Sequence, residues 1–253
     1  MQILLSCAKD MTAVCDVVSD VSSAPAFREV AMENARIMSE YTPEELEALL
    51  KVSPSIAYEN YERYRQMVAG CAAEGQAVFS YTGMAYRHLK PSLWSEDDAL
   101  FANAHLWITS FLYGLLRPMD MIHLYRLEGA VRLREGCTMF DFWKPLLTDM
   151  LINSVKEDDG ILVHLATEEM TRLFDWKTVC REVRVVEPRF VVRAGERTKV
   201  VTVHAKMCRG AMANEIIKSR ISSVDDLKAF LYDGYSFSGN DGDVLTFTRE
   251  SAV

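Results

Sequence analysis

No stretch of about 18 consecutive apolar residues occurs in the chain, so no segment is long enough to cross a bilayer as a helix. The first residues lack a basic region followed by an apolar run and a cleavage site. No signal peptide is therefore expected, and the protein is read as cytoplasmic, with no membrane partner. The six cysteines (Cys7, Cys15, Cys71, Cys137, Cys180 and Cys208) contain no Cys-x-x-Cys pair. That scatter argues against a structural zinc site and for reduced, mostly buried thiols. The five histidines (His88, His105, His123, His164 and His204) show no ligand spacing. His123, His164 and His204 fall in or at the ends of expected strands, where a satisfied core histidine is the default. The sequence also lacks a Gly-rich phosphate loop, a dinucleotide fingerprint and a nucleophile elbow, so no metal and no cofactor is expected. Internal repeats, low-complexity tracts and linkers are missing too, which leaves residues 1–253 as a single domain.

What is present is a large apolar content, 49% of 253 residues, and a formal net charge of −8. The first suits a sizeable buried core. The second counts against a strongly electrostatic nucleic-acid binder, although a basic cleft can sit on an acidic body.

The densest chemistry lies in Tyr113-Gly-Leu-Leu-Arg-Pro-Met-Asp120 and the residues that follow to Glu128. Arg117, Asp120, Arg126 and Glu128 are interleaved with leucines and methionines rather than segregated from them, and Pro118 interrupts any single helix. Buried charges must be paired. The stretch therefore reads either as a structural ion-pair network or as an anion-binding floor, arginine being suited to bidentate contact with carboxylate or phosphate.

Read in order, 1–6 form a buried strand whose apolar residues run without alternation. Lys9 follows its C-terminal end, a usual ligand position in open α/β sheets. It is either an exposed loop lysine or a cleft lysine that contacts phosphate or acts as nucleophile or base. Residues 10–24 read as a loop with a helical turn, and 26–40 as a helix. Thr42-Pro-Glu-Glu45 starts another helix, and a third runs over 57–68. Residues 76–81 are expected as a strand, and Arg87, His88 and Lys90 as a solvated basic patch. Ser95 caps a helix expected to reach Tyr113, and 121–125 form a short strand. Residues 139–155 are helical and 161–166 a second buried strand, with Thr167 first a helix cap and second a cleft residue. Strands are expected at 182–192 and 199–204. A basic turn then carries Lys206 and Arg209 into a helix over 211–219, whose start would hold an anion. A short helix at 224–231 and a last strand at 244–248 complete a mixed α/β fold: a central mixed sheet flanked by helices.

Three of these motifs resemble the bacterial YaaA family of peroxide-stress proteins. Tyr113-Gly-Leu-Leu-Arg-Pro-Met-Asp with Tyr125-Arg-Leu-Glu is similar to its signature. Ser6-Cys-Ala-Lys9 is similar to its Ser-Pro-Ala-Lys, with Cys7 for the proline. Ala205-Lys-Met-Cys-Arg-Gly210 is similar to its Ala-Lys-x-Ala-Arg-Gly. Met84 stands where the family has an aspartate, and His164 where it has an asparagine. The resemblance implies a role in the peroxide response, with relatives that protect DNA and limit oxidative damage linked to intracellular iron. It also suggests that the hairpin around Lys51 is similar to a helix-hairpin-helix, a module that holds duplex phosphates. This copy has no glycine in the hairpin and places Glu44, Glu45 and Glu47 on its first helix, so an ordinary helical hairpin is the plainer reading.

Two functions follow. In the first, Lys9, Arg117, Arg126, Lys206, Arg209 and Lys51 contact the phosphates of DNA. In the second, the chain is an enzyme for a small anionic or nucleotide-like substrate. Lys9 would then be the nucleophile or cation, and Glu128 or Asp120 the acid or base. Ser6, Tyr86, Tyr113, Tyr125 and Thr167 would line its pocket. Direct iron binding has no carboxylate–histidine cluster to support it.

Overall fold

A computed structural model describes residues 1–13, 21–134 and 136–251. In chain order its elements are β1 (Gln2–Leu5), α1 (Arg28–Ser39), α2 (Pro43–Leu50), α3 (Pro54–Val68), β2 (Gly75–Gln76), α4 (Ala77–Ser80) and α5 (Met84–Leu89). A 3-10 turn at Pro91–Leu93 leads to α6 (Glu96–His105), β3 (Leu106–Ser110), β4 (Gly114–Leu116), β5 (Met121–Ile122) and α7 (Met139–Glu157). Then come β6 (Ile161–His164), α8 (Glu168–Thr171), α9 (Trp176–Glu182), β7 (Arg184–Ala194) and β8 (Arg197–Lys199). The chain ends with α10 (Thr202–Ser219), α11 (Val224–Leu227), β9 (Ser236–Asp241) and β10 (Val244–Glu250).

The main sheet runs β4-β3-β1-β6-β7-β10-β9, with β8 added to β7. Strand β1 lies parallel to both β3 and β6, β6 is parallel to β7, and β7 to β10. The remaining pairs of this sheet, β3 with β4, β9 with β10 and β7 with β8, are antiparallel. Ile3, Leu4 and Leu5 are at most 1% exposed, as expected of a strand covered on both faces. Strands β3 and β6 stand on opposite sides of β1, so the chain passes from one side of β1 to the other between β3 and β6. The crevice beyond the C-terminal ends of such strands is where open α/β sheets place ligands. Ser6 follows β1, Phe111 follows β3, and Leu165 to Thr167 follow β6.

The fold class read from the sequence is therefore the observed one, but individual elements differ: the strand expected at 121–125 is only Met121–Ile122, and three others change more. The helix capped by Ser95 stops at His105, because Leu106-Trp-Ile-Thr-Ser110 pairs with β1 in register Ile3 to Leu106. Its β-branched and aromatic residues favour a strand once a partner exists. Of the expected strand at 76–81 only Gln76 belongs to a strand, β2, which pairs with β5, and Ala77–Ser80 turns into helix. The expected strand at 199–204 ends at Lys199. Val200 to Val203 are β-branched, yet α10 starts at Thr202. Lys206 and Arg209 therefore sit one turn apart inside a helix, not on a basic turn before one. The 10–24 loop lies partly, and Cys15 wholly, outside the described residues. Helices α2 and α3 do form a hairpin. Thr42 and Glu45 make a full capping box on α2, and Lys51 closes it in the left-handed region at φ 54°.

Candidate functional site

The C-terminal ends of β1 and β6 open into a cleft of about 620 Å³. Its walls come from the loop after β1, the start of α5, the segment 125–128, the start of α8, and α10. Two glycines allow these elements to approach. A Cβ on Gly83 would lie 2.7 Å from Ala8 Cβ, and one on Gly210 would lie 1.9 Å from the Ala85 carbonyl oxygen. Gly210 thus lets α10 rest directly on the backbone of α5.

Five cations line the cleft, Lys9, Arg87, Arg126, Lys206 and Arg209, against three carboxylates, Asp10, Glu128 and Glu169. Glu128 bridges two of the cations: Lys9 Nζ is 3.1 Å from its Oε2, and Arg126 Nε donates to its Oε1 at 2.9 Å. Arg126 Nη1 also donates to the Lys9 carbonyl at 3.4 Å, tying this corner to the loop after β1. From behind, Tyr64 donates its hydroxyl to the Arg126 carbonyl at 2.6 Å. Arg209 differs. It is half-buried, and among the described residues its buried Nε has no hydrogen-bond partner. Burial lowers its pKa, opposed by the charge of Glu187.

The polar floor is organised around Ser6 and Tyr125. Tyr86 donates to the Ser6 carbonyl at 2.9 Å, and Thr167 N donates to Ser6 Oγ at 2.8 Å. Thr167 stands at the N-cap of α8, yet its side chain makes no cap bond and instead meets Ser6 Oγ at 3.4 Å. The Tyr125 hydroxyl joins a buried chain with Tyr81 at 2.9 Å and Ser110 at 2.6 Å. Burial raises Tyr81, Tyr86 and Tyr125 well above the usual phenol range, so these hydroxyls stay protonated. Burial likewise pushes the Cys7 thiol up to about 12, which makes it a poor nucleophile.

The cleft thus brings together Ser6, Lys9, Tyr86, Tyr125, Arg126, Glu128, Thr167, Lys206 and Arg209 from the sequence-derived candidates. Four others lie elsewhere. Arg117 stacks 3.4 Å over Trp107 and donates to Gln2 Oε1, at the opposite end of β1. Asp120 accepts from Ser23 Oγ at 2.7 Å and from Arg117 N at 2.8 Å, a loop-closing role. Burial pushes its carboxyl up against those hydrogen bonds. Tyr113 is buried, its hydroxyl accepting from His123 N at 3.1 Å, and Lys51 is an exposed helix cap. Sequence reasoning missed Glu169 and assigned Arg87 to a solvated patch. The first lies two residues beyond Thr167 and the second beside Tyr86, so adjacency to candidate residues was the available signal. Among the described residues, no group of three or more His, Cys, Asp or Glu side chains is placed to hold a metal ion.

The sequence profile of the family described as peroxide stress protein YaaA matches residues 1–241. A UPF0246 protein of Bacteroides fragilis is 48% identical over 240 residues, covering 94% of this chain and 93% of the relative. A UPF0246 protein of Phocaeicola vulgatus is 46% identical, with 94% of both chains covered. One from Clostridium beijerinckii is 32% identical over 89% of each.

Proposed function

The chain belongs to the peroxide stress protein YaaA family, and on that premise we propose that its cleft binds a nucleotide-sized anion in the peroxide response. Arg209 carries the reading. Its guanidinium is half-buried and has no ion pair among the described residues, so the negative charge of a ligand would supply one. Lys9 and Arg126, by contrast, already share Glu128. The cleft volume of about 620 Å³ falls in the range of small-molecule sites, and a net charge of −8 suits a confined anion better than a long polyanion. If the site is catalytic, Lys9 supplies the cation and Glu128, 3.1 Å away, the acid or base.

A second reading has one observation in its favour: Lys9, Arg87 and Lys206 are exposed on the cleft lining. They would meet the phosphates flanking a nucleotide held below, making the ligand one unit of a DNA strand. This form of the proposal connects the cleft to protection of DNA from oxidative damage. The test is a binding panel of AMP, single-stranded, duplex and four-way-junction DNA at two salt concentrations, with wild type and a Lys9→Ala, Lys206→Ala double variant. Tight AMP binding with little DNA binding supports the first reading. Salt-steep DNA binding lost in the double variant supports the second. Absence of all binding by folded wild type overturns both.

A further inference from the structure

Lys9, Arg126 and Glu128 close a ring of contacts at one corner of the cleft. Arg126 Nε donates to Glu128 Oε1 at 2.9 Å, Glu128 Oε2 faces Lys9 Nζ at 3.1 Å, and Arg126 Nη1 donates to the Lys9 carbonyl at 3.4 Å. The two cations are not equivalent. The Lys9 side chain is 66% exposed and the Arg126 side chain 17%. Arginine presents its donors in a fixed fork. Here that fork spans the carboxylate that faces the Lys9 ammonium and the backbone carbonyl of Lys9, both of them groups of the protein itself.

The two sides of the ring also differ in how they are held. The Arg126 carbonyl accepts from Tyr64, a fully buried residue of α3, at 2.6 Å. The Glu128 carbonyl accepts from Val131 N at 3.1 Å, and the Gly129 carbonyl from Phe140 N at 3.2 Å. A Cβ on Gly129 would lie 2.2 Å from Phe140 Cζ, so this segment is also pressed against the start of α7. Among the described residues, the Lys9 backbone has no hydrogen bond other than the one from Arg126. The firmly held side therefore fixes the loosely held one, and Arg126 is the link.

We infer that Arg126 is a positioning residue: it holds the loop and the ammonium of Lys9 where Lys9 meets the anionic group of the ligand, and Tyr64 anchors it from α3. This rests on the cleft reading above and assigns the ligand contact at this corner to Lys9. A lysine loses much rotamer freedom when its ammonium is immobilised, and a fixed starting position reduces that loss. Lysine at position 126 would keep the charge, but its single point donor cannot span a carboxylate and a carbonyl as the fork does.

The experiment is a calorimetric titration of AMP, at constant ionic strength, into wild type, Arg126→Lys, Lys9→Ala and the double variant. A second cycle puts Tyr64→Phe in the place of Arg126→Lys, and circular dichroism checks that each variant is folded. Lys9→Ala should weaken AMP binding by roughly tenfold or more, the loss of a charge-assisted hydrogen bond. Arg126→Lys should weaken it by roughly three- to tenfold and Tyr64→Phe by roughly threefold when Lys9 is present. Neither should weaken it further in Lys9→Ala. Both substitutions leave the net charge unchanged, so a loss confined to the Lys9 background reports position rather than attraction. An equal loss in both backgrounds overturns the positioning role and makes Arg126 a direct contact. No loss from Arg126→Lys in either background, or none from Lys9→Ala, also overturns it. Those outcomes leave the cleft reading intact, whereas failure of folded wild type to bind AMP removes both proposals.

Discussion

Replacing Gly210 with alanine sets two physical effects against each other, and their signs differ. In a helix interior alanine is favoured over glycine by about 1 kcal/mol. Position 210 lies inside α10, so propensity alone predicts stabilisation. The structure predicts the reverse. The added Cβ would sit 1.9 Å from the Ala85 carbonyl oxygen and 2.7 Å from its carbon. Even a weak C–H···O contact needs about 3.3 Å, so α5 and α10 must part by more than about 1 Å. Overpacking costs about 1–3 kcal/mol, and a backbone carbonyl cannot rotate aside as a side chain does, which places this site at the upper end. Net of propensity, Gly210→Ala should destabilise by about 2 kcal/mol. That lowers Tm by about 4–8 °C for a chain of this size. Because α5 carries Tyr86 and Arg87 while α10 carries Lys206 and Arg209, anion affinity should fall with it. Thermal and urea denaturation followed by circular dichroism measure the first effect, and calorimetry the second. Unchanged or raised stability in Gly210→Ala would refute the claim that close helix contact sets the cleft wall.

Other predictions follow from the charges. His164 is held neutral, its folded pKa of about 4 lying below the ordinary 6.5; the unfolded chain binds the extra proton between these values, so stability falls as pH drops from 6.5 to 4. The full loss from this group is roughly 3 kcal/mol, and His164→Asn should flatten a Tm-against-pH profile over that window. Burial pushes the Asp98 carboxyl up, but hydrogen bonds from Lys218, Ser95 and Arg220 outweigh it and hold the carboxyl well below its usual range. Its contribution is present above about pH 4 and lost as the pH falls below that; Asp98→Asn should be less stable at pH 7 and show a shallower acid limb in the same scan. Glu128→Gln releases Lys9 and Arg126 from their shared acid and should tighten AMP binding about fivefold, roughly 1 kcal/mol; calorimetry showing weaker binding would mean that Glu128 itself contacts the ligand. Cys71 and Cys180 are exposed whereas Cys7 is held protonated by burial, so mass spectrometry after brief alkylation at pH 7.5 should find the first two modified before Cys7.

The uneven legibility of the sequence has physical causes. Strands β1 and β6 were readable because both faces are covered and their apolar residues run together. The start of α2 was readable because capping is local chemistry, carried by Thr42, Pro43 and Glu45. Strand β3 was not, since Leu106 to Ser110 becomes a strand only by pairing with β1, a partner about a hundred residues away. Strand β9 was missed because Ser236-Phe-Ser-Gly-Asn-Asp241 has the composition of a turn; its conformation is set by pairing with β10. In the site, Lys9, Arg126, Glu128 and Arg209 were singled out by motif. Arg117 was singled out on the same grounds, yet it closes a stack on Trp107 at the far end of β1. Charge among apolar residues signals a buried polar contact, and the sequence does not say on which end of the sheet that contact falls. That Arg209 Nε has no hydrogen-bond partner among the described residues is a property of the three-dimensional packing alone.

The most direct test of the account is a calorimetric titration of AMP, with adenosine as control, into wild-type protein and Arg209→Gln at low salt. The account predicts saturable AMP binding by wild type, none of comparable strength by adenosine, and at least a roughly tenfold loss in the variant. Equal affinity of the folded variant and wild type, or the absence of AMP binding by wild type, would contradict it.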